Sequence, residues 1–250
     1  MTTADGDGWA PVLDPPRPAV VDAVSRALAE DVLPLGDLTA GLVAADRRAT
    51  VDVVSRAHGV LAGRACATEA FAQVDPGLTV DWVLDDGAGI GPGTVVATVE
   101  GPLRSILTAE RTALNFLGHL SGVATLTRAY VDAVRAANPA TRVLDTRKTT
   151  PGLRALEKAA VRAGGGVNHR GSLSEAVLVK DNHLGGPRSP RRWPGRGASG
   201  PDGWSRSSAT GWTRWARRWP PVPPWSCSTT WVPTLWPRPW AGCGVPVRMR

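Results

Sequence analysis

Five cations stand out in the stretch RVLDTRKTTPGLRALEKAAVRAGGGVNHRGSLSEAVLVKDNHL, residues 142–184, by their place after apolar runs or glycines. Arg147 and Lys148 follow one short apolar run, His169 and Arg170 follow a triple glycine, and Lys180 closes a second apolar run. An arginine offers a planar fork that matches a carboxylate in two bonds, while a lysine acts as a point charge suited to phosphate. Any one of them alone would read as a solvated surface charge. Several at consecutive strand ends, in a segment (1–184) that is acidic overall, imply a polyanionic ligand. His169 beside Arg170 reads as a ligand contact, whereas His119 and His183 lack such company.

The elements that must hold these groups follow from the apolar spacing. Val143 and Leu144 begin a short strand, Pro151 is expected to open a helix at its first turn, and Gly164–Gly166 end that helix. Ala176–Val179 read as a second strand. This is a β-α-β unit with its charges just past the strand ends, the place where β/α barrels build active sites. Upstream, Val20, Val21, Val24, Ala27 and Leu28 give residues 19–31 a helical face, which Pro34 and Gly36 stop. Residues 41–104 read as short strands and one helix, a mixed α and β block without a catalytic constellation. Leu114, Leu117, Leu120, Val123, Leu126, Tyr130 and Val134 predict helix from Thr108 to Ala137, broken near Gly118–Gly122. The fold class expected is α/β. An N-terminal α+β sandwich domain (1–110) precedes an incomplete α/β barrel (111–184), and a Trp/Pro/Arg-rich tail (185–250) follows.

The chain has 250 residues and a net charge of +7, but that charge is unevenly placed. Residues 1–184 carry 18 Lys+Arg against 21 Asp+Glu; residues 185–250 carry eleven Arg, one acid (Asp202), nine of the eleven Trp and a single Leu. Helical spacing at Trp212, Trp215 and Trp219 is closed off at once by Pro220 and Pro221. Such a tail lacks the Leu, Ile and Val of a packed core. It reads as a disordered basic tail, as an Arg/Trp nucleic-acid module, or as a segment translated out of frame. Shifting the frame by one base turns every Trp codon into Leu, Val or Met. Trp204–Pro233 then admits a strand, an Ala-rich helix and an apolar strand ending in an acid. The out-of-frame reading is therefore preferred, and the basic charge carries no evidence for a nucleic-acid partner. No run reaches the roughly 18 to 20 apolar residues of a membrane span, and no secretory leader opens the chain. Cys66, Cys227 and Cys243 are too widely spaced for a disulfide framework or a zinc site, so a cytoplasmic protein is expected.

The motifs EDVLPLGDLT, GVLAG, AERTALNFLGHLSGVAT, LDTRKTTPGLRALEKAAVRAGGGVNHR and VLVKDNH together resemble the quinolinate phosphoribosyltransferase family over residues 17–184. The resemblance implies a pentosyltransferase of NAD biosynthesis. Quinolinate and phosphoribosyl pyrophosphate (PRPP) would give nicotinate mononucleotide, pyrophosphate and CO2, with Mg2+ as cofactor. It implies that Arg147, Lys148, His169, Arg170 and Lys180 hold the dicarboxylate, Lys148 and Lys180 with catalytic roles. Arg111, in AERTALN, matches an arginine that the family supplies to the neighbouring subunit, which implies a homodimer. The family's metal- and ribose-binding acids fall in the segment that is recovered only in the shifted frame. The chain as written is therefore expected to be inactive. Two alternatives are a paralogue acting on another acid and a nucleic-acid-binding protein using the tail.

Overall fold

In the computed structural model, which describes residues 13–178 and 247–249, the first expected helix runs as α1, Arg17–Val32. Pro18 lies in its first turn, where a missing N–H costs no hydrogen bond. Val20, Ala23, Val24 and Leu28 form its buried stripe, and it ends at Leu33, directly before Pro34.

Strands β1 (Arg48–Val54), β3 (Thr79–Trp82), β5 (Val95–Pro102) and β6 (Val247–Met249) make an antiparallel sheet in the order β3-β5-β1-β6. Of the segment read as an irregular tail, residues 247–249 thus pair with β1, and the rest lies outside the described residues. Val51 sits opposite Val99 and Val53 opposite Ala97, and all four are buried because side chains two apart share a face. Asp52 points to the other face, where its Oδ1 accepts a hydrogen bond from Thr98 at 3.0 Å. A two-stranded sheet pairs β2 (Gly59–Val60) with β4 (Gly89–Ile90). Between them α2 (Arg64–Val74) buries Cys66, Ala67, Ala70 and Phe71.

The helix expected from Thr108 is longer and unbroken: α3 runs from Leu103 to Ala137, 35 residues. Gly118 and Gly122 do not interrupt it. Each costs about 1 kcal/mol of helix propensity relative to alanine. Burying a leucine contributes about 1.5 to 3 kcal/mol, and Leu114, Leu117 and Leu120 are all buried here. Polar groups add to the hold. Ser121 Oγ accepts from Ala62 N at 3.0 Å, and Thr125 Oγ1 accepts from Val60 N at 2.9 Å. Helix α3 packs on α1, α2, α4 (Arg154–Ala163) and β5. Residues 110 and 111, where the first two regions were expected to meet, lie within this one helix.

Residues 13–171, with 247–249, belong to one compact unit, and 172–178 belong to a second. In the second, Ser172 Oγ and Ser174 Oγ lie 3.2 Å apart. Ala176–Leu178 do not form a strand, contrary to expectation, and Val179 lies outside the described residues. Among the described residues no helix is long and apolar enough to cross a membrane.

Candidate active site

The strand expected to begin at Val143–Leu144 does not form: Leu144 makes only an isolated parallel bridge, and its partner is Val167 rather than a second strand at 176–178. Val167 N donates to Val143 O at 2.9 Å, and Asp145 N donates to Val167 O at 3.1 Å. The backbone at Leu144 and at Val167 therefore runs side by side, with α4 between them in the chain. Pro151 and Gly152 form a turn closed by Leu153 N to Thr150 O at 3.0 Å, so α4 begins at Arg154 rather than at Pro151. The residue before a proline is pushed away from helical geometry, and glycine loses the most entropy in a helix.

The end of α4 is fixed by contact with α3. A side chain at Gly164 would place Cβ 2.6 Å from Thr127 Cβ and against the carbonyl oxygen of Ala124. Gly165 has φ +87°, a left-handed conformation that favours glycine. Arg128 of α3 donates to the carbonyls of Gly164 (3.1 Å) and Ala163 (3.4 Å), a cation where the helix dipole is negative.

Beside the two bridged segments lies a buried polar network. Asp145 Oδ1 accepts from Lys158 Nζ at 2.6 Å and from His169 N at 2.7 Å; Oδ2 accepts from Asn168 Nδ2 at 2.6 Å. Lys158 Nζ also donates to His169 O at 2.7 Å. The side chains of Lys158 and Asp145 are only 9% and 6% exposed, so each charge depends on the other for compensation. Arg162 Nη1 donates to Asn168 Oδ1 at 2.6 Å, and its Nη2 reaches the carbonyls of Asp14 (3.0 Å) and Leu13 (3.2 Å). Burial pulls the Arg162 guanidinium below its ordinary value, against the opposing pull of Asp145 and Asp14.

A second carboxylate steadies the first loop. Glu157 Oε1 pairs with His119 Nε2 at 2.9 Å, and Oε2 accepts from Thr150 N at 3.2 Å. Burial pushes the Glu157 carboxyl up, but these bonds outweigh it and hold the group below the ordinary glutamate range. His119, expected to stand alone, has this partner because α3 and α4 pack against each other.

Four of the expected cations occupy the two adjacent turns. Arg147 and Lys148 follow Asp145 by two and three residues; Lys148 is exposed, and its N–H donates to Thr146 Oγ1 at 3.0 Å. Arg147 is half-buried, and its Nε is a buried donor with no acceptor among the described residues. His169 and Arg170, both half-buried, continue the second turn. Arg111 lies on an exposed position of α3, apart in sequence from both turns. Lys180 and His183 lie outside the described residues. Sequence reasoning passed over Asp145, Glu157, Lys158, Asn168 and Arg162. The available signal was Glu157–Lys158 inside an otherwise apolar helical face.

Among the described residues no three His, Cys, Asp or Glu side chains converge to hold a metal, and the Asp145 carboxylate is already committed. The arrangement is a buried ionic network beside two turns that carry cations.

Known proteins share this arrangement of elements and motifs. The family model for the N-terminal domain of quinolinate phosphoribosyl transferase matches residues 37–121, and that for its C-terminal domain matches residues 123–186. The chain is 46% identical over 169 residues to a nicotinate-nucleotide pyrophosphorylase [carboxylating] of Mycobacterium leprae, covering 66% of this chain and 59% of that one. It is 42% identical over 177 residues to a quinolinate phosphoribosyltransferase [decarboxylating] of Nicotiana tabacum, covering 69% and 49%. A solved nicotinate-nucleotide pyrophosphorylase from Francisella tularensis superposes with a TM-score of 0.66 at 39% identity, covering 71% of this chain and 63% of that one. The chain spans about half the length of the first curated relatives that it matches.

Proposed function

The chain belongs to the quinolinate phosphoribosyltransferase family, and we propose that its two cation-bearing turns form the quinolinate-recognising part of a phosphoribosyltransferase site. The reaction joins quinolinate to PRPP and releases pyrophosphate and CO2, in the cytoplasm. The observation that carries this reading is the isolated parallel bridge between Leu144 and Val167, two or three residues before each cation pair. In this reading the turn bearing Arg147 and Lys148 and the turn bearing His169 and Arg170 face one ligand. A ring bearing two adjacent carboxylates needs just such a double grip, and the unmet Nε donor of Arg147 adds one bond that a carboxylate can fill.

In this reading Arg147, His169 and Arg170 bind the ring carboxylates, while Lys148 and Lys180 hold the charge that develops as CO2 leaves. Positioning and electrostatic screening carry the chemistry, without a covalent nucleophile. Arg111, exposed on α3, completes the site of a second subunit, so the working form is a homodimer. The described residues do not make a Mg2+ site, and no step is assigned to the ion. Mg2+ retains water and prefers substrate phosphates to all-protein cages, so it would enter with PRPP.

Residues 185–250 do not carry the family's metal- and ribose-binding acids, so the full chain is expected to bind quinolinate without turning it over. Isothermal titration of the 250-residue protein should show quinolinate binding at least about tenfold tighter than nicotinate, which lacks one carboxylate. Arg147→Ala should abolish the preference. Equal affinity for the two acids would refute the dicarboxylate reading. Formation of nicotinate mononucleotide from PRPP and quinolinate would refute the expected inactivity.

A further inference from the structure

We infer that Lys158 is a positioning residue for the dicarboxylate site, acting through the main chain of His169; this rests on the quinolinate reading above. The N–H and the C=O of one residue belong to the two peptide planes on either side of it. At His169 both are held by one ion pair: the N–H donates to Asp145 Oδ1 at 2.7 Å, and the C=O accepts from Lys158 Nζ at 2.7 Å. Fixing both planes sets the backbone direction of His169 and the start of Arg170. The same Asp145 lies two residues before Arg147 and three before Lys148, so the pair ties both cation-bearing turns to one point.

Two features make Lys158 more than a counter-ion. Its ammonium is spent entirely inside the network, on Asp145 at 2.6 Å and on His169 O, with 9% of its side chain exposed. It is therefore not a cation offered to the ligand. Asn168 Nδ2 also donates to the Lys158 carbonyl at 2.9 Å, so the loop is anchored to the same helical residue at both ends. The pair is neutral as a unit, so it adds no net charge beneath the two turns.

The test separates positioning from simple charge compensation. Lys158→Met keeps the length of the side chain but leaves Asp145 without its cation. The double variant D145N/K158M removes both charges, while the amide oxygen introduced at position 145 can still accept from His169 N. Melting temperature and quinolinate titration are read on the full chain for wild type, K158M and D145N/K158M. A misplacement of about 1 Å can cost on the order of a hundredfold, so K158M should raise the quinolinate Kd at least about tenfold at undiminished stoichiometry. The double variant should recover much of the melting temperature, short of the Asn168 bond that an amide NH2 at position 145 cannot accept, and not the affinity, because the tie to His169 O is still missing. If K158M is too unstable to titrate, the double variant carries the test. Unchanged Kd in the folded fraction of either variant overturns the inference, as does a double variant that recovers both properties. A wild-type chain that fails to bind quinolinate overturns the functional reading, and this inference with it.

Discussion

Replacing Gly164 by alanine tests the packing that sets the whole site. The new Cβ would lie 2.6 Å from Thr127 Cβ and 3.0 Å from Thr127 Cγ2, and would press on the Ala124 carbonyl oxygen. Carbon atoms pack best at about 3.5 to 4.0 Å. Thr127 Cβ and the Ala124 carbonyl belong to or adjoin the α3 backbone and cannot rotate away, so the end of α4 must retreat. Overpacking of this kind costs about 1 to 3 kcal/mol. Retreat also weakens the two Arg128 bonds to the α4 terminus, worth about 1 kcal/mol each.

One term acts in the other direction. Alanine reduces the entropy of the unfolded chain and so stabilises by about 0.4 to 1 kcal/mol. The net expectation for Gly164→Ala is a loss of about 3 kcal/mol, which is about 6 to 12 °C at 2 to 4 °C per kcal/mol for a chain of this size. Gly166 provides the control. Its Cβ would meet Val161 Cγ1 at 2.7 Å and Thr127 Cγ2 at 2.9 Å, both ends of side chains. Gly166→Ala should cost about 1 kcal/mol, roughly 2 to 4 °C, and Thr127→Ser should relieve part of it by removing that methyl, the contact with Val161 remaining. Thr127→Ser should not rescue Gly164→Ala. Thermal denaturation by circular dichroism reads each single variant and both combinations. A Gly164→Ala protein that melts at or above Gly166→Ala would refute the argument.

Other consequences can be measured on the same protein. The lowered Glu157 carboxyl contributes stability that is present above the ordinary glutamate value of about 4.3 and is lost as pH falls through the folded value. Glu157→Gln should therefore lower the melting temperature at neutral pH by the worth of about 1 kcal/mol, and the gap should narrow as pH falls below the ordinary glutamate range. Burial, with Asp86 and Glu69 nearby, pushes the Cys66 thiol up to about 12, so alkylation followed by mass spectrometry should find Cys66 unmodified near pH 8 until the protein unfolds. Arg111→Ala should leave the melting temperature within about 1 °C, as exposed substitutions do, and abolish quinolinate binding. Mixing Arg111→Ala with Arg147→Ala subunits should restore binding at about a quarter of sites, since half the dimers are mixed and each has one intact site; no recovery would argue against a shared site. Leu117→Ala, at a position 1% exposed, should cost about 2 to 5 kcal/mol on chemical denaturation.

The elements that were legible in the sequence are those with strong local signals. Helix α1 shows its stripe and its proline stop, β5 its alternating valines, and α4 its glycine end. Motif spacing pointed to strands before Arg147 and Lys148 and before Lys180, whereas the structure has an isolated bridge at Leu144 and Val167 followed by turns. The readings that failed were decided by distant packing. Gly118 and Gly122 looked like a break because propensity is local, whereas the leucines that hold α3 straight are buried by elements far away in the chain. Ala176–Val179 looked like a strand by composition, but residues 176–178 form none, and Leu144 bridges to Val167 instead.

The sequence by itself determined which groups could meet an anion, because charge and hydrogen-bonding capacity belong to side-chain types. It also determined roughly where helices and strands begin, because caps, prolines and apolar periods act over a few residues. Only the tertiary structure decided what supports those groups. Asp145 and Lys158 are 13 residues apart in the chain, and His119 and Glu157 are 38 apart. A charge in a helix reads as solvated until packing removes its water. Folding α4 against the bridged segments at Leu144 and Val167 removed it, and the two lone charges of Asp145 and Lys158 became one neutral tie.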